Sequence, residues 1–438
     1  MDLPDVPPTF WPALLDAAGP DRIALVGGAV RDWLLHHRHL DPWRGIVDID
    51  LVVEATSALG TAVAPGEPDQ SSPACRLVEH LRLSLAERGF QILQARPHDQ
   101  YGTVEVEVEQ HAQPPGHQAA ASAPLRLLLD VASARRETYP VPAENPVVTY
   151  GALEDDLARR DFTINAMAFD LAAGTLLDPY GGQVDLERRC LRFLHPASIR
   201  DDPTRLVRAA RYAARLGFHL AEESKTQALR IIASWPWSWR TGESAARAPA
   251  ALGTRLCREL ELLLERENWK VALACLQEWG GLLLLDPLLQ ADSHWARRLH
   301  WATRLRVPSL LALIALAKDP LALAERLQLP HRQQRMLRQF GELCLRLPDE
   351  ATGTPLPSTP CEWCQLLEEP GLSPEAVALA LACGLGPRRP LLRWYLRWRH
   401  LGPNVTAHQL MASGVPKGPQ LGQELRRSRR MRLEQERR

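Results

Sequence analysis

Lysine is nearly missing from this chain: its 52 basic side chains include lysine only at Lys225, Lys270, Lys318 and Lys417, and arginine supplies the rest. No Gly-Lys-Ser/Thr string occurs, which argues against a P-loop NTPase. There is no apolar run long enough to cross a bilayer and no charged-then-apolar leader, so a cytoplasmic protein without a membrane partner is expected. Net charge is lacking too, since 52 acidic residues balance the 52 basic ones. No global field announces a polyanionic partner, and any contact with nucleic acid must come from local patches. The eight cysteines are scattered, as in a reducing compartment. Cys361-Glu-Trp-Cys364 has the spacing of half a zinc site, but no second close pair accompanies it, and Cys344 and Cys383 are distant in sequence. A pair on one helix face is the simpler reading. His36, His37 and His39 could hold a metal, but an exposed loop between the helix and the Asp48 strand is the simpler reading.

What is present is more specific. A β-type run, Ile23 to Val26, is followed by Gly27 and Gly28, by a helix opening with Val30-Arg31-Asp32, and by Asp48-Ile49-Asp50 inside a second apolar run that ends at Val53. Strand side chains alternate faces, so Asp48 and Asp50 emerge together while Ile49 points into the core. Hard divalent cations take oxygen ligands, and Mg²⁺ is typically held by one or two carboxylates plus the phosphates of a substrate. Glycines allow a backbone to approach phosphate, and a helix N-terminus offers it unpaired N–H groups. Taken singly, Gly-Gly is a turn and Asp-x-Asp a solvated strand end. Joined in one strand-turn-helix-strand unit, they outline a phosphoryl-transfer site.

Two further blocks follow. Glu154 to Met167 reads EDDLARRDFTINAM, an amphipathic segment in which Asp161 and Asn165, four residues apart, can share a helical face. Asp178-Pro-Tyr-Gly-Gly-Gln-Val-Asp-Leu186 leads to Arg200-Asp-Asp-Pro-Thr-Arg and on to Tyr212. Pro203 suits the first turn of a helix, with Asp201 and Asp202 where carboxylates favour its N-terminus. A solvated face and a capped helix would account for these residues taken alone.

Together the blocks resemble the class II tRNA nucleotidyltransferase and bacterial poly(A) polymerase family. Asp48 and Asp50 match the aspartates that hold the catalytic metals on a DNA polymerase β type of palm, and the string RRDFTINAM resembles the family's second motif. The resemblance implies that Arg160, Asp161 and Asn165 contact the sugar and phosphates of the incoming nucleotide. It also implies that Asp201, Asp202 and Arg205 match an acidic-acidic-x-x-Arg motif that reads the Watson–Crick edges of CTP and ATP. That motif usually begins with Glu, so Asp201 departs from it; Asp202 and Arg205 stand one turn apart, able to face one base together. The expected nucleotide-binding set is Gly27, Gly28, Arg31, Asp32, Arg160, Asp161, Asn165, Asp201, Asp202, Arg205 and Arg208. Asp48, Asp50 and the weaker third ligand Asp130 form the catalytic set.

The implied fold class is α+β. A polymerase-β-like head with a mixed sheet over residues 20–177 precedes an all-α neck (178–250), body (251–345) and tail (346–438). In the head, Thr103 to Val108 alternates polar and apolar residues as a half-wet strand does, and Leu125 to Val131 reads as another, closed by Asp130. The tracts Ala64 to Ala74 and Gln110 to Pro124 read as surface insertions of low order. Beyond Leu177 apolar residues recur at the helical period in Thr254 to Leu264, Trp269 to Leu285 and Leu310 to Leu327, and Ser234 to Ala251 reads as a loop. Arginines alternate with Trp394, Tyr395 and Trp398, compatible with either an RNA surface or helix packing. The run Arg426 to Arg432 reads as a solvated terminus or a grip on tRNA.

The implied activity is template-independent addition of CMP, with or without AMP, to tRNA 3′ ends, using two Mg²⁺ ions with CTP and ATP as substrates. A poly(A) polymerase is the rival enzyme, and an inactive RNA-binding module the rival from outside enzymology. One departure bears on the product. Full CCA-adding relatives usually carry an Asp-Gly-Arg-type flexible loop where this chain has the proline-stiffened Arg135 to Val147, as in relatives that add CC or A alone.

Overall fold

The computed structural model describes residues 3–45, 48–55, 72–98, 102–110, 124–240, 242–347 and 356–436. They divide into two compact units, Met1–Ser238 and Trp239–Arg438.

The first unit is built on strands β1 (Arg22–Val26), β2 (Ile49–Glu54), β3 (Phe90–His98), β4 (Thr103–Gln110), β5 (Arg126–Ser133), β6 (Arg135–Thr138), β7 (Val147–Tyr150), β8 (Ala168–Asp170) and β9 (Thr175–Leu177). Seven of them form a mixed sheet in the order β3-β4-β5-β2-β1-β8-β9. Within it only β2 and β5 run parallel, with Ile49 opposite Leu129 and Asp50 opposite Asp130. The alternation expected of the central strands is present: Val104, Val106 and Val108 of β4 are buried, as are Leu127, Leu129 and Val131 of β5. Asp130 does not close its strand as expected; β5 continues to Ser133, whose hydroxyl donates to Gly102 O at 3.0 Å.

Helix α1 (Phe10–Ala18) precedes the sheet, α2 (Gly27–His39) leaves β1 directly, and α3 (Pro73–Ala86) packs on α1 and β3. Because α2 runs through His39, the three histidines stand in its last turn rather than in a loop, where cations suit the exposed carbonyls. His36 Nδ1 lies 2.9 Å from the Asp41 carbonyl that succeeds the helix. Most of the two low-complexity tracts falls outside the described residues. At their edges, Ser72 accepts from the Cys75 N–H at 3.2 Å to cap α3, and Gln110 ends β4.

The second motif departs from its expected helix. Helix α4 (Leu153–Ala158) stops before Arg159, and Thr163–Asn165 is a single 3-10 turn. Asp161 and Asn165 therefore do not share a helical face. The cause is Phe162, which is fully buried, extended at φ −132°, and bridged to Phe193. Its ring stacks on Phe193 at 5.5 Å and meets Tyr212 edge-on at 5.6 Å. Burying an aromatic of that area outweighs continuing a short helix. The next block supports it from below: Asp178 caps α5 (Gly182–Glu187) by accepting from the Gly182 and Gln183 N–H groups at 2.6 and 2.9 Å. Gly182 must be glycine, since a Cβ there would lie 2.4 Å from Thr163 O. Three helices, α6 (Ser198–Asp201), α7 (Thr204–Leu216) and α8 (Glu222–Ser234), complete the unit with a short parallel pair, β10 (Cys190–Leu191) and β11 (His219–Leu220), so the stretch expected to be all-α carries two short strands.

All regular structure described in the second unit is helical, and no described helix is long and apolar enough to cross a membrane. The run expected as one helix over Leu310 to Leu327 is split into Ser309–Ile314 and Pro320–Arg326. Pro320, with no N–H to donate, opens the second piece. Cys361 and Cys364 share the helix Pro360–Leu367, where Cys364 is buried and its thiol pushed up to about 12, first by burial and then by Glu368. The Arg-aromatic segment resolves in favour of packing: Trp394 and Trp398 are buried, and Arg388 lies over the Trp301 ring at 4.7 Å. The terminal arginine run is a helix, Pro419–Gln435, rather than a frayed end. Arg429 pins it with a two-toothed ion pair to Glu368 (2.5 and 2.7 Å), leaving Arg426, Arg427 and Arg430 exposed.

Phe162→Ala removes the plug that seats the second motif, and the unfolding free energy of the first unit is expected to fall by about 3–5 kcal/mol. A urea titration followed by Trp fluorescence reads this; a loss below about 1 kcal/mol would show that the motif is seated by something else.

Candidate active site

The register of β2 and β5 brings together what the sequence separates by eighty residues. Asp50 and Asp130 are directly paired neighbours in the sheet. Asp48 stands immediately before β2, exposed, and Ile49 between the two aspartates is fully buried. The carboxylates act on one another: burial first, then Asp48, then Asp130 push the Asp50 carboxyl up to about 6, against the pull of Arg160 and the Gly28 N–H. Asp130 is raised as well, by desolvation and then by Asp48. Negative charge is thus in excess here. The donor set fits a hard divalent cation, which would supply the missing positive charge. The cluster stands open, for among the described residues no three His, Cys, Asp or Glu side chains close around a metal position.

The two glycines have different roles. Gly27 has φ +68°, and a Cβ on it would sit 2.8 Å from Asp50 Oδ2 and 3.0 Å from Arg160 Nη1. It is glycine so that a carboxylate and a guanidinium can close on the backbone. Gly28 offers its N–H to Asp50, and a Cβ there would meet only Arg31 Nη2, at 3.5 Å.

Arg160 comes to this place from a buried anchor. Asp156, fully enclosed, accepts from Arg160 Nη2 at 2.9 Å through one oxygen and from Arg159 Nη2 at 2.6 Å through the other. Burial alone would raise the Asp156 carboxyl, but Arg159 and then Arg160 outweigh it and hold it below the usual range. Arg31, also buried, forks onto Asp32 (2.7 and 2.9 Å) and donates to Asn165 Oδ1 at 3.0 Å. Its guanidinium lies 5.4 Å over the Tyr212 ring. Arg31, Asp32 and Asn165 therefore form one group, while Arg160 belongs to another.

Asp161 belongs to a third. It pairs with Arg208 through both oxygens and lies 3.0 Å from Arg205 Nε, without the alignment of a hydrogen bond. Burial works to raise its carboxyl, but Arg208 and then Arg205 overcome that and lower it. Asp202 is buried, accepting from the Thr204 N–H (3.0 Å) and hydroxyl (2.5 Å), and from Arg208 Nη2 at 3.1 Å. The expected N-terminal placement of Asp202 is thereby present. Asp202 and Arg205, however, do not reach out side by side. Arg205 is 2% exposed and donates to Ser198 O at 3.4 Å and Arg159 O at 3.2 Å. Asp201, not Asp202, lines with Arg205 a cleft of about 390 Å³ whose walls include Tyr139, Arg159 and His195.

Sequence reasoning passed over Asp156, Glu137, Tyr139, His195 and Tyr212. Asp156 was legible as the i−4 partner of Arg160. The others come from distant segments and carried no local signal. Glu137 lies on the β6–β7 hairpin, which occupies the stretch read as a proline-stiffened loop, and accepts from Arg159 Nη1 at 3.1 Å. The hairpin's tip is held as well, the Ala143 N–H donating to Asp201 O at 3.0 Å.

A sheet with a paired-carboxylate cluster beside a helix opened by two glycines defines a nucleotidyltransferase head, and residues 77–192 match the Poly A polymerase head domain. The CC-adding tRNA nucleotidyltransferase of Deinococcus radiodurans is 37% identical over 332 residues, covering 73% of this chain and 71% of that protein. The A-adding tRNA nucleotidyltransferase of Aquifex aeolicus is 35% identical over 207 residues, 47% of this chain and 20% of that protein. Among solved structures, the Thermotoga maritima CCA-adding enzyme complexed with tRNA shares the fold at a TM-score of 0.62 and 22% identity, over 99% of this chain and 93% of that one. The chain belongs to the class II tRNA nucleotidyltransferase and poly(A) polymerase family, a family of enzymes.

Gly27→Ala is expected to lower stability by about 1–3 kcal/mol, because the added Cβ collides with Asp50 at a positive φ. Gly28→Ala should stay within about 1 kcal/mol of the parent, its Cβ meeting only ordinary contact. Parallel urea unfolding of the two variants decides; equal costs would contradict the assigned division of roles.

Proposed function

We propose that this protein is a template-independent tRNA nucleotidyltransferase that adds CMP to immature tRNA 3′ ends and stops after CC. The single observation that carries the reading is the 37% identity to a CC-adding enzyme across 73% of the chain. It is supported by the absence of an Asp-Gly-Arg triplet from Arg135 to Val147. Addition of A alone is the second reading, favoured by the 35% identity to an A-adding enzyme over 207 residues.

In the proposed reaction the tRNA 3′-hydroxyl oxygen attacks the α-phosphorus of CTP. The bond to the β-phosphate breaks, pyrophosphate leaves with its electrons, and the hydroxyl proton passes to solvent. Asp48, Asp50 and Asp130 would hold two Mg²⁺ ions. Bound there, such ions lower the pKa of the attacking hydroxyl and neutralise the triphosphate. The chain's own groups do the positioning. Arg160, held by Asp156 beside Asp50, presents a cation where a phosphate beside the carboxylates would lie. Asn165, aligned by Arg31, and Asp161, aligned by Arg208, would fix the sugar and phosphates. Arg205, with Asp201 and Asp202 about it, would choose the base. A polar group built to meet one base edge rejects the wrong base by being left unpaired.

The test is incubation of the purified protein with tRNA transcripts ending at the discriminator base, at C or at CC, with each NTP in turn. Two cytidines added from CTP and no adenosine from ATP is the expected product. Adenosine added only to the CC transcript would establish the second reading, and long adenosine tails a poly(A) polymerase. Asp50→Asn should cut the rate on the order of a thousandfold, with tRNA binding retained. A substantial residual rate would remove Asp50 from the metal set.

The raised Asp50 carboxyl gives a pH dependence of known sign. With its pKa near 6, the side chain carries a proton below that pH, and a cation binding there must expel it. Divalent-cation affinity in the absence of nucleotide should be flat above about pH 7 and weaken by up to about tenfold per unit below pH 6. Calorimetric titration with Mg²⁺ across pH 5–8 measures this, and a pH-independent affinity would contradict the assignment.

A further inference from the structure

The cleft beside Arg205 contains two side chains to which the foregoing reading gives no task. Tyr139 follows β6, and its ring centroid lies 6.0 Å from the Arg205 guanidinium carbon. Its hydroxyl is 3.2 Å from Glu137 Oε2, which ties the ring to the hairpin. His195 approaches from the segment before α6, with Nε2 at 3.5 Å from Arg205 Nη1. Both residues line the same cleft as Arg205.

The chemistry of the His195 contact has one solution. A guanidinium only donates, so Nε2 must accept, and the ring must be neutral with its proton on Nδ1. The surroundings favour that state: burial and then the Arg205 cation hold the imidazole below its ordinary pKa, with Asp201 pulling the other way. The backbone of His195 is held on both sides, its N–H donating to Ser198 Oγ at 3.3 Å and its carbonyl accepting from Gln227 Nε2 at 3.0 Å. A ring on a fixed backbone is a stop against which a longer side chain can rest. The remaining Arg205 contacts are backbone carbonyls and Asp161, so they restrain its head only from the protein side.

We propose that His195 and Tyr139 are positioning residues that clamp the Arg205 guanidinium toward the cleft and thereby set the choice of base. The proposal rests on the reading of Arg205 as the residue that selects CTP. Neither side chain is asked to touch the reacting phosphate. Their loss should let the guanidinium swing, so that a pyrimidine with the wrong edge is accepted more readily. Discrimination changes, whereas the anchoring of the metal-site carboxylates does not.

The experiment compares kcat/KM for CTP and UTP in the parent enzyme and in His195→Ala, His195→Gln, Tyr139→Leu, Tyr139→Phe and Arg205→Ala, with the melting temperature of each recorded. His195→Ala and Tyr139→Leu are each expected to lower the CTP-over-UTP ratio by about three- to tenfold. His195→Gln, which keeps an acceptor of similar reach, and Tyr139→Phe, which keeps the ring, should restore most of it. A merely structural role would lower the melting temperature and scale both nucleotides equally, and that result overturns the proposal. So does an unchanged ratio in His195→Ala and Tyr139→Leu when Arg205→Ala loses it, which faults the clamp alone. If Arg205→Ala itself keeps the ratio, base selection by Arg205 fails, and the clamp fails with it.

Discussion

Excess negative charge at the start of β2 is the constraint around which the first unit is arranged. The parallel pairing of β2 with β5 places Asp50 against Asp130, with Asp48 two residues away. Burial first, and then the charges of Asp48 and Asp130, push the Asp50 carboxyl up to about 6. Such an arrangement costs stability in the absence of a cation, and the surrounding backbone must hold it open. Gly27 does so by giving up its side chain where Asp50 and Arg160 converge. The paired hydrophobic registers on either side, such as Ile49 with Leu129, supply the packing that offsets the repulsion.

A second theme is the use of arginine held by carboxylates at buried or half-buried places. Asp156 holds Arg159 and Arg160, Asp161 holds Arg208 with Arg205 beside it, and Asp32 with Asn165 holds Arg31. Each guanidinium is planar and has its fork oriented by a carboxylate or an amide. Lysine would give a point charge on a flexible stem. The near absence of lysine noticed in the composition becomes intelligible, in this unit, as a preference for cations whose direction is fixed. Removing Asp32 would leave the buried Arg31 without its carboxylate, and removing Asp161 would do the same to Arg205, each a loss that costs more than the pair itself contributes.

The stretch from Arg135 to Val147 is less free than a proline-rich loop would be. It is framed by the β6–β7 hairpin, pinned at Ala143 to the Asp201 carbonyl, and tied through Glu137 to Arg159. Those attachments join it to the residues around Arg205. A segment fastened at two places to the surroundings of Arg205 suits the reading proposed above, an enzyme that keeps one nucleotide preference.

Several decisive features were readable from the sequence alone. The strand and the paired aspartates of residues 23–53 lie close in sequence and follow local periodicity, so their placement needed no tertiary knowledge, whereas Gly27 and Gly28 open the helix itself rather than forming a turn before Val30. The valines of β4 and the helical character of the second half were legible for the same reason. The pairing of Asp50 with Asp130 was not, because a parallel pair separated by eighty residues depends on which strands the whole sheet brings together. The end of α4 at Ala158 was decided by the burial of Phe162 between Phe193 and Tyr212, and the contacts of Arg205 by His195 and Tyr139 from other segments. Local periodicity determines which face of an element is wet or dry; only the packing of remote elements determines which charged side chains meet, because their energies depend on partners and burial that no short window contains.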